Sequence, residues 1–277
     1  MAMKGRGRPL TTLKGFVGRV EDLELPPDSE FFFRGHSNKD TYKLTPSVFR
    51  KPKGKDAEHI LFRELISTNP REFQNDTSSL ERLARMQHHS CPTRLLDVSS
   101  NPLVGLYFAC SGSERTHGEV IALRVKKDIV KFFDSDTVSC IANMARLTLS
   151  DKEKLIILEN KEFPSSQTYK RLLHFIKEEK PYFEPKINKN DLKRVVVVRP
   201  KLNNRRILAQ AGAFILFGQV DQIDNRKIEG VEVVRIIIDK SSKSTIRKSL
   251  DSLNINEGSL YLDIDSYANH LKKQYGL

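Results

Sequence analysis

The sequence predicts an α+β fold in which helical insertions separate the strands of one sheet. Three β-branched runs, at 195–200, 213–218 and 231–239, are short and apolar, as buried strands are. Helical spacing of apolar residues dominates 136–180 instead. A chain of 277 residues can bury one large core, and we find no repeat or long linker that divides it.

The remaining elements follow from the same periodicities. An aromatic run at 30–35 and an alternating run at 119–125 predict two more strands. Apolar residues at helical spacing, with polar residues that suit helix starts, predict further helices over 56–68, 79–89, 241–258 and 262–275. Together these elements complete a sheet with helices inserted between its strands.

The charge of the chain points to a polyanionic partner. Forty-seven basic residues against 35 acidic ones give a net charge of +12, which favours nucleic acid, a nucleotide or an acidic protein. Residues 1–20 carry basic side chains and several glycines but no acid. They predict a flexible basic arm, followed by a single domain over 21–277.

The cysteines and the hydropathy indicate a cytoplasmic protein. Cys91, Cys110 and Cys140 are odd in number, widely spaced and outside any C-x-x-C motif, which argues against a disulfide scaffold or a zinc ribbon. No stretch approaches the roughly 18 apolar residues that a membrane helix needs. We therefore expect a reducing compartment and no membrane partner.

A polar cluster, QHHSCPTRLLDVSSNP, occupies 87–102, between the end of one predicted helix and the start of another near Pro102. Loops between packed elements aim such side chains at ligands, so the cluster is predicted to face a cleft. A metal site from His88, His89 and Cys91 has suitable ligand types but no fourth ligand at a familiar spacing. A nucleophilic Cys91 with a histidine base is a second template.

The third template for this cluster is a phosphate site. His88 and Arg94 supply cationic contacts, while Ser99 or Ser100 hydrogen-bonds at a helix N-terminus that is itself an anion site. An alternative stays open, in which Arg94 and Asp97 form a buried ion pair and a serine only caps the helix. His88 is equally a partner for the dipole at a helix C-terminus.

Two further polar residues stand beside predicted strands. Arg34 ends an aromatic strand just before Gly35, where its guanidinium either contacts a phosphate or is held by aromatic packing. Gln210 lies in a polar turn that leads into the strand at 213–218. A glutamine at such a turn fixes the loop or orients a ligand.

These segments resemble the FRG-domain family. The FRG motif at 33–35 and the blocks at 87–110 and 205–218 are similar to the three signature blocks of that family, and the likeness extends over nearly the whole chain. Two departures stand out. Ser90 replaces the usual glycine, which predicts a slightly different turn, and Val98 replaces the usual tryptophan, which removes an aromatic ring.

The blocks also follow the order of the motifs in ADP-ribosyltransferases of the Arg-Ser-Glu type, to which they bear a looser resemblance. That likeness implies a split antiparallel or mixed sheet. It also implies a mono-ADP-ribosyltransferase that uses NAD to modify RNA, DNA or protein. An intracellular toxin or phage-defence effector with a neutralising partner is the implied setting.

The resemblance also implies roles for individual residues. Arg34 would clamp the pyrophosphate of NAD, His88 and Ser99 would hold the nicotinamide ribose, and Gln210 would orient the acceptor. No acid occurs in the third block, so either Asp97 supplies the carboxylate that the ribosyl cation needs, or catalysis is weak or absent. The other implied contacts to NAD are Gly35, Arg94, Ser100, Tyr107 and Phe214.

Two other functions remain open, and no metal is expected in either. One is a non-catalytic module that binds a nucleotide or RNA in the same cleft. The other is a metal-independent nuclease that uses His88 and Asp97.

Overall fold

The computed structural model describes residues 8–202, 204–223 and 228–261, together with 267–268, 271–272 and 275. Its sheet has seven strands in the order β4-β5-β6-β2-β1-β3-β7. All neighbouring strands are antiparallel except β4 and β5, which are parallel. The strands are β1 Ser29–His36, β2 Leu95–Ser99, β3 Gly118–Lys126, β4 Val130–Phe132, β5 Val195–Arg199, β6 Gly212–Phe217 and β7 Val231–Ile238.

Helices occupy about half of the remaining described chain, which agrees with the predicted α+β class. They are α1 Leu13–Glu21, α2 Pro52–Thr68, α3 Pro70–Phe73, α4 Ser79–His88, α5 Pro102–Cys110, α6 Asp136–Asn143, α7 Leu149–Ile157, α8 Gln167–Glu179, α9 Lys189–Lys193, α10 Arg205–Ala209, α11 Lys243–Asp251 and α12 Glu257–Tyr261. None of the helices in the described ranges combines the length and the apolar composition of a membrane span.

The strand pairing of the sheet is much shorter between β1 and β2 than between the strands on either side. β1 pairs with β3 along its whole length, and β2 pairs with β6 in the same way. Between themselves, however, β1 and β2 are in register only where Phe33 lies opposite Ser99. The other backbone groups that face this gap are therefore available to side chains and to a cleft between the two strands.

The helices cover one face of the sheet in two groups. One core joins α4 and α6 to β2, β5 and β6, and another joins α1, α5 and α11 to β1, β3 and β7. The opposite face is covered by side chains from connecting segments, among them Leu44, Ile129 and Ile223. The β1–β2 gap lies between the two helical groups.

Strand β2 corrects the prediction that the polar cluster at 87–102 is a loop between two helices. Leu95, Leu96 and Val98 are buried, whereas Asp97 is exposed. The segment is too short for periodicity to distinguish a strand from a loop, and its pairing with β6 decides its conformation. The cap of α5 also differs, because the side chain of Asn101, and not that of Ser100, accepts from the Leu103 N–H at 2.9 Å.

The predicted flexible arm over 1–20 is also different in the described part. Leu13–Glu21 form α1, with Thr12 as its N-cap and Phe16 fully buried. The Leu10 N–H donates to the Ile237 carbonyl at 2.8 Å, which ties the segment to β7. The apolar contacts of this helix thus outweigh the low helix propensity of its glycines. Residues 1–7 of the arm, and most of the helix predicted over 262–275, lie outside the described residues.

Helix α4 ends in a turn that carries unusual backbone geometry. Ser90 has φ of 60°, in the left-handed region that favours glycine. The Cys91 N–H bonds to the Met86 carbonyl at 2.9 Å, as in helix ends that close with a glycine. The turn is therefore one that a glycine would accept without strain.

We expect Ser90→Gly to raise the free energy of unfolding by about 1 kcal/mol, because the left-handed conformation costs a residue with a Cβ roughly that much. Urea titration measures the change. The matched control is Ser249→Gly inside α11, which should lower stability by a similar amount. Equal destabilisation by both variants would contradict strain at Ser90.

Candidate functional site

A cavity opens at the β1–β2 gap, and we call it the Arg34 cavity. It encloses about 510 Å³, counted with the open space at its mouth. β1, β2, α5 and the turn after α10 all contribute to its wall. The lining residues are Phe33, Arg34, Gly35, Asp97, Val98, Ser99, Val104, Gly105, Phe108, Arg206 and Gln210.

A second cavity of about 460 Å³, the His88 cavity, adjoins the first between α4 and α10. His88, Gln87 and Phe214 line it, and it shares Asp97, Arg206 and Gln210 with the Arg34 cavity. A third depression of about 850 Å³ continues along α4. The result is a groove with a polar wall in its middle.

Arg34 bridges the gap between the two strands. Its side chain is half-buried, and a terminal guanidinium N–H donates to the main-chain carbonyl of Asp97 on β2. Its Nε–H donates to His36 Nε2 at 3.3 Å. Burial lowers the pKa of Arg34, while the charge of Asp97 opposes that shift. A guanidinium has five N–H donors, and these contacts use two of them.

Asp97 is the acidic residue among those that line both the Arg34 cavity and the His88 cavity. The residue is exposed, and its Oδ2 accepts from Gln87 Nε2 at 2.7 Å. Gln87 is oriented in turn by Thr93, whose hydroxyl donates to Gln87 Oε1 at 2.9 Å. Gln87 was not among the site residues predicted from the sequence, although it begins the polar cluster.

Ser99 and Gln210 join the second block to the third. The buried Ser99 hydroxyl donates to the Gln210 carbonyl at 2.6 Å, and its oxygen accepts from the Asn101 N–H at 2.9 Å. Gln210 Nε2 donates to the Leu260 carbonyl at 3.0 Å. Both residues line the Arg34 cavity, while their hydrogen bonds hold the turn after α10 against β2.

Arg94 does not line the three cavities, and its ion-pair partner is Glu58 rather than the predicted Asp97. It is fully buried, and its Nε donates to Glu58 Oε1 at 2.8 Å while a terminal nitrogen donates to Oε2 at 2.5 Å. Another donates to the Phe217 carbonyl at 2.9 Å. Side chains three positions apart on extended backbone point to opposite faces, which is why Arg94 does not pair with Asp97.

Glu58 is the anion at the centre of that buried cluster. Lys152 Nζ also donates to its Oε2, at 2.5 Å. Burial alone would raise the pKa of Glu58, but the charges and hydrogen bonds of Arg94 and Lys152 outweigh it and lower the pKa to about 2. The cluster is therefore ionised and stabilises the fold.

The other predicted contacts divide between the cavities and the surrounding structure. Phe214 lines the His88 cavity, as His88 itself does. Ser100 is exposed and donates to the Ala211 carbonyl at 3.3 Å, away from the three cavities. Tyr107 does not line them either, and burial raises its pKa to about 12. Its neighbour Phe108 provides the aromatic wall instead, because the rotation of α5 turns that position to the cavity.

The metal and thiol templates gain no support. Among the described residues, no group of three or more His, Cys, Asp or Glu side chains is arranged to hold a metal ion. Burial raises the pKa of Cys91, whereas a nucleophilic cysteine needs a lowered one. Of the residues in the phosphate template, His88 and Ser99 line the two adjoining cavities, whereas Arg94 and Ser100 line neither.

Arg206 is a site residue that the sequence analysis missed. Its guanidinium lies over the Tyr261 ring, 5.0 Å from the centroid, and it lines both the Arg34 and the His88 cavities. The available signal was the Arg205–Arg206 pair in the third block. The Arg34 cavity thus has a second cation in its lining.

Comparison with known proteins finds a family model that matches part of the chain. Residues 29–118 match the family model of the FRG domain. The match covers Arg34, Asp97, Ser99 and Phe108, whereas Arg206 lies beyond it. No curated protein and no solved structure matches the chain.

Proposed function

We propose that this protein, which contains an FRG domain, binds NAD in the Arg34 cavity and transfers its ADP-ribose to a nucleic acid or protein acceptor. One observation carries the proposal: the guanidinium groups of Arg34 and Arg206 and the carboxylate of Asp97 line the same cavity. The two cations can pair with the pyrophosphate of NAD, and the anion can stabilise the positive charge that develops on its ribose.

The lining of the Arg34 cavity suits a dinucleotide in its chemistry. A pyrophosphate carries two charges, which Arg34 and Arg206 would match through charge-assisted hydrogen bonds. Phe108 supplies a flat apolar wall for a ring.

In the proposed reaction, the bond between ribose C1′ and the nicotinamide nitrogen breaks, and neutral nicotinamide leaves with the bonding electrons. The ribosyl cation that develops is stabilised by the Asp97 carboxylate, which Gln87 holds in place. A nucleophilic oxygen or nitrogen of the acceptor then bonds to C1′. Its proton passes to Asp97, so charge and atoms balance.

The acceptor would approach through the His88 cavity, which shares Asp97 with the Arg34 cavity. The net charge of +12 favours RNA or DNA over an uncharged acceptor, since counterion release drives binding to polyanions. As the resemblance implies, such an activity suits an intracellular toxin or phage-defence effector that a partner neutralises.

The test is label transfer from radiolabelled NAD to total RNA, DNA or protein. We expect Asp97→Asn to bind NAD like the wild type but to transfer label about 100-fold more slowly. Arg34→Ala and Arg206→Ala should each weaken NAD binding by about tenfold or more. The matched control is Arg19→Ala, which removes the same charge from an exposed position on α1.

Three results would contradict the proposal. Saturable NAD binding without transfer to any acceptor would indicate a non-catalytic nucleotide-binding module. RNA cleavage without NAD, lost in His88→Ala, would indicate a nuclease. Equal transfer by Asp97→Asn and the wild type would exclude Asp97 as the carboxylate of the reaction.

A further inference from the structure

A chain of hydrogen-bonded side chains runs from the Arg34 cavity across three strands of the sheet. Arg34 Nε–H donates to His36 Nε2 at 3.3 Å, and His36 Nδ1 lies 3.0 Å from Glu119 Oε1. Arg235 donates to the same Glu119 oxygen at 2.7 Å. His36 and Glu119 face each other across β1 and β3, and both side chains are 2% exposed.

The chain admits one arrangement of protons. A guanidinium only donates, so His36 Nε2 must accept and carry no hydrogen. The ring proton is then on Nδ1, which donates to Glu119. Burial opposes ionisation of Glu119, but its hydrogen bonds from His36 and Arg235 outweigh that effect and leave its pKa lowered. Glu119 thus holds His36 in the tautomer that accepts from Arg34.

We propose that His36 is a positioning residue, which, in the neutral tautomer held by Glu119 and Arg235, orients the Arg34 guanidinium towards the pyrophosphate of NAD. This inference rests on the proposed function for its ligand. Arg34 bridges β1 and β2 through one terminal nitrogen, so the bond to His36 sets the rotation of the guanidinium plane in the cavity.

Protonation of His36 would disrupt this arrangement, because Nε2–H and Arg34 Nε–H would then face each other as two donors. The groups facing the ring are Arg34, Glu119 and Arg235, with the Tyr42 ring at 5.7 Å between centroids. Burial lowers the pKa of His36, and the Glu119 hydrogen bond opposes that shift in part. NAD affinity should therefore be constant near neutral pH and fall in mild acid.

The first test compares NAD binding by two His36 variants. Glutamine offers an oxygen to Arg34 and an N–H to Glu119, whereas leucine offers neither. We expect His36→Leu to weaken NAD binding by about tenfold or more, and His36→Gln to restore most of the affinity while abolishing its fall in acid. The control His174→Leu, at an exposed position on α8, should leave affinity unchanged.

Two NMR measurements separate this inference from the proposed function. Long-range proton–nitrogen correlations report which ring nitrogen of His36 carries the proton, and a proton on Nε2 would overturn the inference whether or not NAD binds. If the wild type does not bind NAD, the proposed function fails on its own. Slower exchange of the Arg34 Nε–H in wild type than in His36→Leu would still support positioning, and equal exchange would refute it.

Discussion

Glu58→Gln is expected to lower the free energy of unfolding by about 3–5 kcal/mol. This is the range for removing one partner of a buried ion pair while the other stays charged. Glu58 accepts from both Arg94 and Lys152, and all three side chains are almost fully buried. Glutamine would leave two buried cations without an anion and replace one acceptor oxygen by a donor. Chemical denaturation of both proteins measures the loss.

The matched control is Asp40→Asn, which makes the same change in the exposed pair of Asp40 with Lys39. That pair should contribute less than about 1 kcal/mol, because solvent screens it. A loss of similar size in both variants would contradict a special role for the buried cluster.

The same cluster predicts how stability depends on pH. The pKa of Glu58 is about 2 in the folded chain, against an ordinary value of 4.5. Because folding lowers the pKa of Glu58, the ionised carboxylate stabilises the fold fully at pH values above its pKa in the unfolded chain. This contribution is lost as pH falls from about 4.5 towards about 2. Glu58→Gln should lack this part of the acid sensitivity, so its stability should fall less steeply over that range.

Gly35→Ala is expected to lower the free energy of unfolding by about 3 kcal/mol or more, through overpacking. A Cβ at this position would lie 2.0 Å from the Gly105 carbonyl oxygen and 2.5 Å from the Ala109 nitrogen, both in the backbone of α5. The helix must move away from β1 to accept it. That movement would also carry Phe108 away from the Arg34 cavity and weaken NAD binding.

Gly18→Ala serves as the control for Gly35→Ala. A Cβ at Gly18 meets no atom within 4 Å, and the residue lies inside α1. Alanine should therefore raise stability by about 1 kcal/mol, because it is the better helix former. Thermal unfolding compares the two variants, and a Gly35→Ala protein as stable as the wild type would disprove the close contact.

The local sequence pattern was sufficient to predict most of the helices and strands and three residues that line the Arg34 cavity. The runs at 195–200 and 231–239 alternate or cluster as strands do, and strands form there. Arg34, Ser99 and Gln210 were predicted from separate segments, and all three line one cavity. Such predictions succeed because the periodicity and the polar interruptions are properties of consecutive residues.

Other features depend on partners that are distant in the chain. β2 is a strand because β6, more than 100 residues later, pairs with it. Arg94 resembles a phosphate ligand in isolation, but Glu58 and Lys152 come from α2 and α7 and enclose it in the core. Arg206 enters the site only because the turn after α10 is held against β2 by Ser99.

By itself, the sequence determined the α+β class, the positive charge and the three segments that carry the site, since these follow from composition and from the order of residues. The tertiary structure decided which side chains face the cavity. Asp97 and Arg206 form its wall, while Arg94, Ser100 and Tyr107 do not. The physical reason is that strand pairing and helix rotation select the exposed face of each segment, and both depend on contacts between distant parts of the chain.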